Sequence, residues 1–290
     1  MIFLYISFPY TILKEAAITQ IAKQTGFDVR IHSLGPKLPL GFELEKVEVA
    51  LPTGQKGIEL ESAVVRLSVL SLFVANATID LELESKDGGT LESEVSISLI
   101  DALSGQVMPH YAYLSADGFA LGHLIRFGIQ KGKEALKGQA LVADLLGNFG
   151  AKGALHGELE LSLDTGKPTA SSGSVDLSIK KGLLMIDPSL GMADQKFEKA
   201  LVKAQLKGGK LKIDNRSGFH TQGLKIDVFG AVAMKNRIDK SSLNIDVKIE
   251  LDKGLKEQFG FIIDTALGGS NGQLKCQIRG TMAHPNVITL

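Results

Sequence analysis

The sequence predicts a mainly β protein: one long, curved antiparallel sheet, folded over on itself or partly closed, with an N-terminal helix and a few short helices. Three observations carry this. From near residue 30 onward, apolar and polar residues alternate in roughly a dozen segments. Leu243, Ile245, Val247, Ile249 and Leu251 interleave with Asn244, Asp246, Lys248, Glu250 and Asp252 without a break. A period of two sends one face toward apolar surroundings and the other toward water. Glycine is frequent, at 32 of 290 residues, as many turns between strands require. Hydrophobic residues make up 44% but aromatic ones only 6%, with no Trp, so the apolar face is aliphatic and smooth rather than shaped for a flat ligand.

The elements follow in order. Residues 1–8, MIFLYISF, are uncharged and apolar, and Pro9 and Tyr10 come next. As a helix such a segment rises about 12 Å, short of the ~20 residues that cross a bilayer. It also lacks the basic leading region of a secretory signal. It reads as the second half of a transmembrane helix, with Tyr5 and Tyr10 as the aromatic belt at the membrane exit. An interfacial anchor and a buried first element of a soluble protein are the alternatives. A helix is predicted over residues 10–25, with Ile12, Leu13, Ala16, Ala17 and Ile21 on its apolar face and Gly26 as its stop. Residues 1–26 thus form a membrane-proximal unit ahead of a β-rich domain over 27–290.

In that domain Phe42 and Leu44 alternate with Glu43 and Glu45, whereas Val47 and Val49 sit one step out of phase. The slip predicts a bulge or bend near Lys46. Val65, Leu67 and Val69 lead into the apolar run 70–77, which predicts a strand covered on both faces. Asp87-Gly88-Gly89 signals a hairpin, and Val95, Ile97 and Leu99 close a first block. Residues 103–153 break the alternation and are heavily punctuated by glycine. They predict short helices or loops, with Leu121, Leu124, Ile125, Ile129 and Leu136 at helical spacing, and residues 141–149 also read as helical. An internal boundary, if the chain has one, falls there. A second meander has strands around Leu161, Leu177, Leu211, Ile226, Ile245 and Ile278. One helix, marked by Leu255, Phe259, Ile262, Ile263 and Leu267, precedes the last of these strands. Pro285 soon after predicts residues 274–279 to be a free edge.

Chemistry-bearing motifs are few. With 32 basic and 32 acidic residues the chain shows no nucleic-acid footprint, and a loose basic group at 196–212 reads as a solvated strand face. The one cysteine, Cys276, reads as a small buried hydrophobe. The string Gly268-Gly269-Ser270-Asn271-Gly272 has a helix before it and a strand after it, the reverse of a nucleophile elbow. His32, His110, His123, His156, His220 and His284 lie too far apart for metal-ligand spacing. The sequence therefore predicts no catalytic residues, no metal, no cofactor and no enzyme. About three helices of ~15 residues cannot cover a dozen one-sided strands, so the sheet must fold over, pair with a partner or enclose something apolar.

Four stretches together resemble the GspN proteins of bacterial type II secretion, part of the wider AsmA-like group. They are the apolar start running into Phe8-Pro9-Tyr10 and a helix to Gly26, then Leu40-Gly41-Phe42-Glu43-Leu44. A glycine-punctuated middle follows, Ala116-Asp117-Gly118-Phe119 and Leu155-His156-Gly157-Glu158-Leu159. The closing Ile278-Arg279-Gly280-Thr281-Met282-Ala283-His284-Pro285 completes the order. The resemblance implies an inner-membrane anchor, a periplasmic domain and an AsmA-like folded-over sheet with a hydrophobic groove, and it brings no catalytic residues. It implies a non-enzymatic accessory component of type II secretion that contacts other secretion components. The alternative is a lipid-binding or lipid-bridging module for phospholipid. In that alternative the groove is lined by the inward positions Leu159, Leu161, Val175, Leu177, Leu243, Ile245, Val247 and Ile249.

Overall fold

The alternating segments become strands, nearly all hydrogen-bonded to the one before. The computed structural model describes residues 10–25, 28–50, 56–103, 109–121, 149–164, 166–186, 193–261 and 272–290. Helix α1 (Tyr10–Thr25) leads into β1 (Asp28–Lys37), β2 (Gly41–Ala50) and β3 (Lys56–Leu67). The short turns α2 (Val69–Leu72) and α3 (Leu99–Leu103) flank β4 (Asn76–Ser85) and β5 (Thr90–Ser98). Next come β6 (Pro109–Ala120), β7 (Phe149–Ser162), β8 (Ser172–Ile186), β9 (Gln195–Lys207), β10 (Lys210–Ile213) and β11 (Gly218–Thr221). The chain continues with β12 (Leu224–Ala233), β13 (Ser242–Leu251), α4 (Lys253–Phe261), β14 (Gln273–Thr281) and β15 (Pro285–Thr289). Among the described residues these strands form one antiparallel sheet in sequence order, except that β10 and β11 share the place between β9 and β12.

Cross-strand register keeps one face apolar from edge to edge. Partners directly opposite each other lie on the same face. One such row runs Pro36, Phe42, Val65, Leu81, Ser93, Leu114, Leu159, Val175, Ala204, Ile213, Gly230, Ile245, Ile278, Val287. It crosses fourteen of the fifteen strands and only Ser93 in it is polar. That face is the inside of a curl. Phe119 of β6, 1% exposed, belongs to one buried cluster with Val29 and Ile31 of β1, Val47 of β2, and Leu60 and Ala63 of β3. In a flat sheet β3 and β6 lie about 14 Å apart, so the contact requires strong curvature. Ile18 of α1 packs on the same cluster, and Lys14 Nζ donates to the His32 carbonyl of β1 at 3.3 Å. Helix α1 therefore lies along the β1 end of the sheet. It buries a stripe through Ile18, while Ile12 and Ala16, expected on its apolar face, point to solvent.

Phase slips keep the inside apolar where the sequence changes step. Ile31 and Leu34, Val47 and Leu44, and Leu60 and Ala63 all face the same cluster although each pair has odd spacing. The expected irregularity near Lys46 is the middle of this slip: Lys46 has φ 49°. Lys181 of β8 has φ 50° and marks a second slip, after which Leu184 and Ile186 are buried. The hairpin at Asp87-Gly88-Gly89 is present, with Gly88 and Gly89 at φ 84° and 93°.

Three expectations need correction. The run 70–77 is not a doubly covered strand: β3 ends at Leu67 and the run forms α2 and an exposed turn. Leu70 is 79% and Phe73 83% exposed there. Within 103–153, residues 109–120 are the strand β6, which pairs with β7, and β7 starts at Phe149. Leu124, Ile125, Ile129, Leu136 and residues 141–148 lie outside the described residues, as do His123, residues 1–9, Gly26 and 262–271. Residues 274–279 are not an edge, because β15 pairs with β14 from Gly280↔Pro285 to Cys276↔Thr289. Pro285 opens that strand, where its missing N–H costs no ladder bond.

Charge is segregated along the sheet although the total is balanced. Strands β1–β7 hold fourteen acidic and six basic residues, and β8–β15 hold five acidic and twelve basic. The packing of the curl gives a first test. Phe119→Ala leaves a cavity between strands that only curvature brings together. It is expected to lower stability by about 3–5 kcal/mol in urea unfolding. A loss below about 1 kcal/mol means the curl does not depend on this side chain.

Candidate apolar groove

The eight inward positions expected to line a groove all lie on the apolar face, in two groups. Leu159 stands opposite Val175, and Leu161 opposite Gly173 and Ala112. Leu177 stands opposite Gly157 and Val202, and Leu243 and Ile245 oppose Val232 and Gly230. These six are half-buried and belong to neither buried cluster. Val247 and Ile249 instead pack against Leu274 and Cys276, 3% and 8% exposed, in a small core of their own. Burial raises the Cys276 thiol above its ordinary range, as expected for an inert buried hydrophobe.

The alternation did not reveal what hollows the face. Gly157 and Gly230 occupy inward positions beside Leu177 and Ile245. At Gly157, with φ 117°, a Cβ would stand 2.0 Å from the Asp176 carbonyl oxygen; at Gly230, with φ 137°, it would stand 2.3 Å from that of Asn244. No side chain fits at either place, so the floor of the face is low there. Val202 of β9 faces the same space and remains 53% exposed. Its alternation with Ala200, Ala204 and Leu206 is readable in the sequence, but the lysines between them mark the opposite face more strongly.

The two ends of this face carry different side chains. Tyr10 packs edge-on against Phe42, ring centroids 6.2 Å apart, so α1 starts at the end of the sheet where β1 turns into β2. That end is called proximal. At the distal end Phe197 and Phe219 meet edge to face at 4.5 Å, and Leu255 of α4, 9% exposed, lies over Gly223. Asp252 Oδ1 caps α4 by accepting the Leu255 N–H at 2.8 Å. Phe197 also lies on Gly182, where a Cβ would be 2.0 Å from its ring. Among the described residues the result is a half-exposed aliphatic face across β7–β9 and β12–β13, bounded at the distal end by an aromatic pair and a helix.

The opposite, outer face is polar and paired. Glu82 binds Arg66, Asp176 binds Lys203, and Glu59 binds Lys86 at 2.7 Å. An outer cleft of about 450 Å³ is lined by Lys210, Lys212, Asp214, Phe229, Asn244 and Asp246 among others. Its two carboxylates are already engaged. Arg216 hydrogen-bonds Asp214 and holds its carboxyl well below the usual range, Asp246 lies 3.7 Å from Arg279, and Lys248 sits 5.2 Å from the Phe229 ring. The described residues contain no group of three or more potential metal ligands. Of the histidines, His32 and His284 are exposed, His156 Nδ1 lies 3.1 Å from Asp117, and His220 Nε2 lies 2.7 Å from Asp227.

No family model, curated protein or solved structure matches this chain. No helix among the described residues is long and apolar enough to cross a membrane.

The outer face yields a pH-dependent test. Burial pushes the Asp227 carboxyl up, but hydrogen bonds from His220 and Lys225 outweigh it and hold the carboxyl below its ordinary value. A depressed folded pKa adds stability above the unfolded value near ~3.9, and this is lost as pH falls through the folded value. Asp227→Asn is therefore expected to be less stable than the parent at pH 7, with the gap closing in acid. Thermal unfolding across that range checks it, and a gap independent of pH refutes it.

Proposed function

We propose that this chain is a non-enzymatic, membrane-associated lipid-binding module that holds an acyl chain in the trough of its curled sheet. The supporting observation is an inward row that crosses fourteen strands with Ser93 its one polar member, yet is left half-exposed at β7–β9, where Val202 is 53% exposed and Gly157 leaves the floor low. An apolar face of that extent gains about 0.8 kcal/mol for each methylene it covers, and an unbranched chain follows a smooth aliphatic wall better than a rigid ring does. The resemblance to AsmA-like proteins points the same way and supplies the setting, the periplasmic side of a bacterial inner membrane. Among the described residues the trough is lined by aliphatic side chains and glycine.

A second reading, an accessory component of type II secretion acting through protein contacts, is favoured by the outer edge of β15. Leu290 N–H bonds to the Lys275 carbonyl, so by alternation the N–H groups of Val287 and Thr289 point away from β14. An unpaired edge of this kind accepts a partner's strand.

Native mass spectrometry of the purified chain, followed by lipid extraction, separates the two. The lipid module predicts co-purifying phospholipid that is lost in Ile245→Asp and Val175→Asp while both variants keep their fold. Asn244→Asp, on the outer face beside Ile245, should retain it. A lipid-free mass in the parent chain sinks the lipid reading. The secretion reading then predicts slower amide exchange at Val287 and Thr289 when purified inner-membrane secretion components are added.

A further inference from the structure

The described loops at one end of the sheet present large apolar side chains to solvent. Among the described residues, nine of the fourteen exposed large hydrophobic side chains lie in the loops of the proximal end. At the distal end the described β4–β5 hairpin presents Lys86 and Asp87. Leu38 is 63% exposed, Leu70 79%, Phe73 83%, Val74 68%, Ile100 68% and Leu103 90%. They sit on three consecutive connections, β1–β2, β3–β4 and β5–β6, spaced about 10 Å apart by the strands between them.

These loops are built rather than frayed. Ser71 Oγ donates to the Ser68 carbonyl at 2.8 Å and accepts the Thr78 N–H at 3.1 Å, which fixes α2 with Leu70 and Phe73 outward. Leu67 N–H bonds to Leu40 O and Leu99 N–H to Ala75 O, both at 2.8 Å, tying each apolar loop to its neighbour. Beneath them the buried hydroxyls of Thr78 and Ser96 meet at 2.6 Å. A contiguous apolar surface held outward by its own hydrogen bonds is a contact surface.

The same rim changes character along the sheet. Past β7 its loops and strand ends carry Lys167, Lys207, Lys210, Lys235 and Lys240, all exposed and none in an ion pair among the described residues. Hydrogen bonds join these loops too, Met234 N–H to Gly209 O at 2.7 Å and Ala283 N–H to Asp239 O at 3.0 Å. Apolar loops followed by unpaired lysines on one rim match a bilayer surface with anionic headgroups. The sequence agrees: the uncharged apolar residues 1–8 precede α1, and α1 starts at this end.

We propose that the proximal rim docks on an anionic lipid bilayer, with Leu70, Phe73, Val74, Ile100 and Leu103 entering the boundary between headgroups and acyl chains and the lysine loops lying on the headgroups. The proposal deepens the lipid-module reading and rests on it for its purpose, since the trough is bounded at the distal end. It is measured separately, because trough occupancy is a mass and docking is a local depth.

The chain has no Trp, so Phe73→Trp gives a single reporter. The full chain carrying it is mixed with vesicles of phosphatidylcholine, with and without phosphatidylglycerol. The expected result is a blue shift and quenching by lipids brominated on the acyl chain, stronger with phosphatidylglycerol and weakened by salt. Asp87→Trp in the distal hairpin should show neither. Leu70→Asp combined with Leu103→Asp should weaken vesicle binding roughly tenfold or more, and Lys207→Glu with Lys240→Glu should remove the preference for phosphatidylglycerol. An unquenched indole in the Phe73→Trp chain, on vesicles that carry the protein, would overturn the proposal, because residues 1–8 would then hold the chain alone. Failure to bind either vesicle would also overturn it. So would an indole at that position already blue-shifted without lipid in a chain of dimer mass, which would assign the rim to a second copy.

Discussion

The structure depends on register. Fifteen strands, with no layer of helices over them among the described residues, hold together only if every strand delivers its apolar residues to the same side. A slip of one residue in any strand would invert the faces of all that follow. The chain meets this constraint with direct cross-strand partners from Pro36 to Val287. Where its own sequence changes phase it inserts a compensating kink, at Lys46 and again at Lys181. Both residues take a left-handed backbone conformation that is unfavourable for a lysine, and both side chains stay in water.

Curvature then divides the apolar face into two regimes. Over β1–β6 the curl is tight enough to bring Phe119 into one buried cluster with residues of β1–β3, and that cluster is filled by the protein itself. Over β7–β13 aliphatic walls enclose a floor lowered by Gly157 and Gly230, and the proteinaceous filling retreats to Phe197, Phe219 and Leu255 at one end. The first regime supplies stability, and the second leaves apolar surface half-exposed among the described residues. Both come from one pattern of alternation, and the size of the inward residues decides between them.

Much of this was legible in the sequence. The alternation around Ile245 fixed both the strand and the inward face, and the phase slip at Val47 located the first kink. Other features were hidden for physical reasons. Strand β6 contains Tyr111, Ala112, Tyr113, Leu114, Ser115 and Ala116, whose small inward residues give little hydropathy contrast. The run after Leu67 is apolar on both sides of its period, which looks the same whether it is covered twice or left exposed. The hollow at Gly157 depends on which residue faces it from β8, and a single strand does not contain that information. Strand β15 is five residues long and begins with proline, below the length at which a period of two is distinct.

Zero formal net charge and a pI near 7.0 suggest an electrically featureless molecule. Here, however, the acidic strands come first and the basic strands last in a sheet whose spatial order is its sequence order. The molecule is therefore a large permanent dipole with no monopole. It will turn in a field gradient rather than drift along it, hold to anion and cation exchangers by opposite flanks, and line up nose to tail with its own kind as salt is withdrawn.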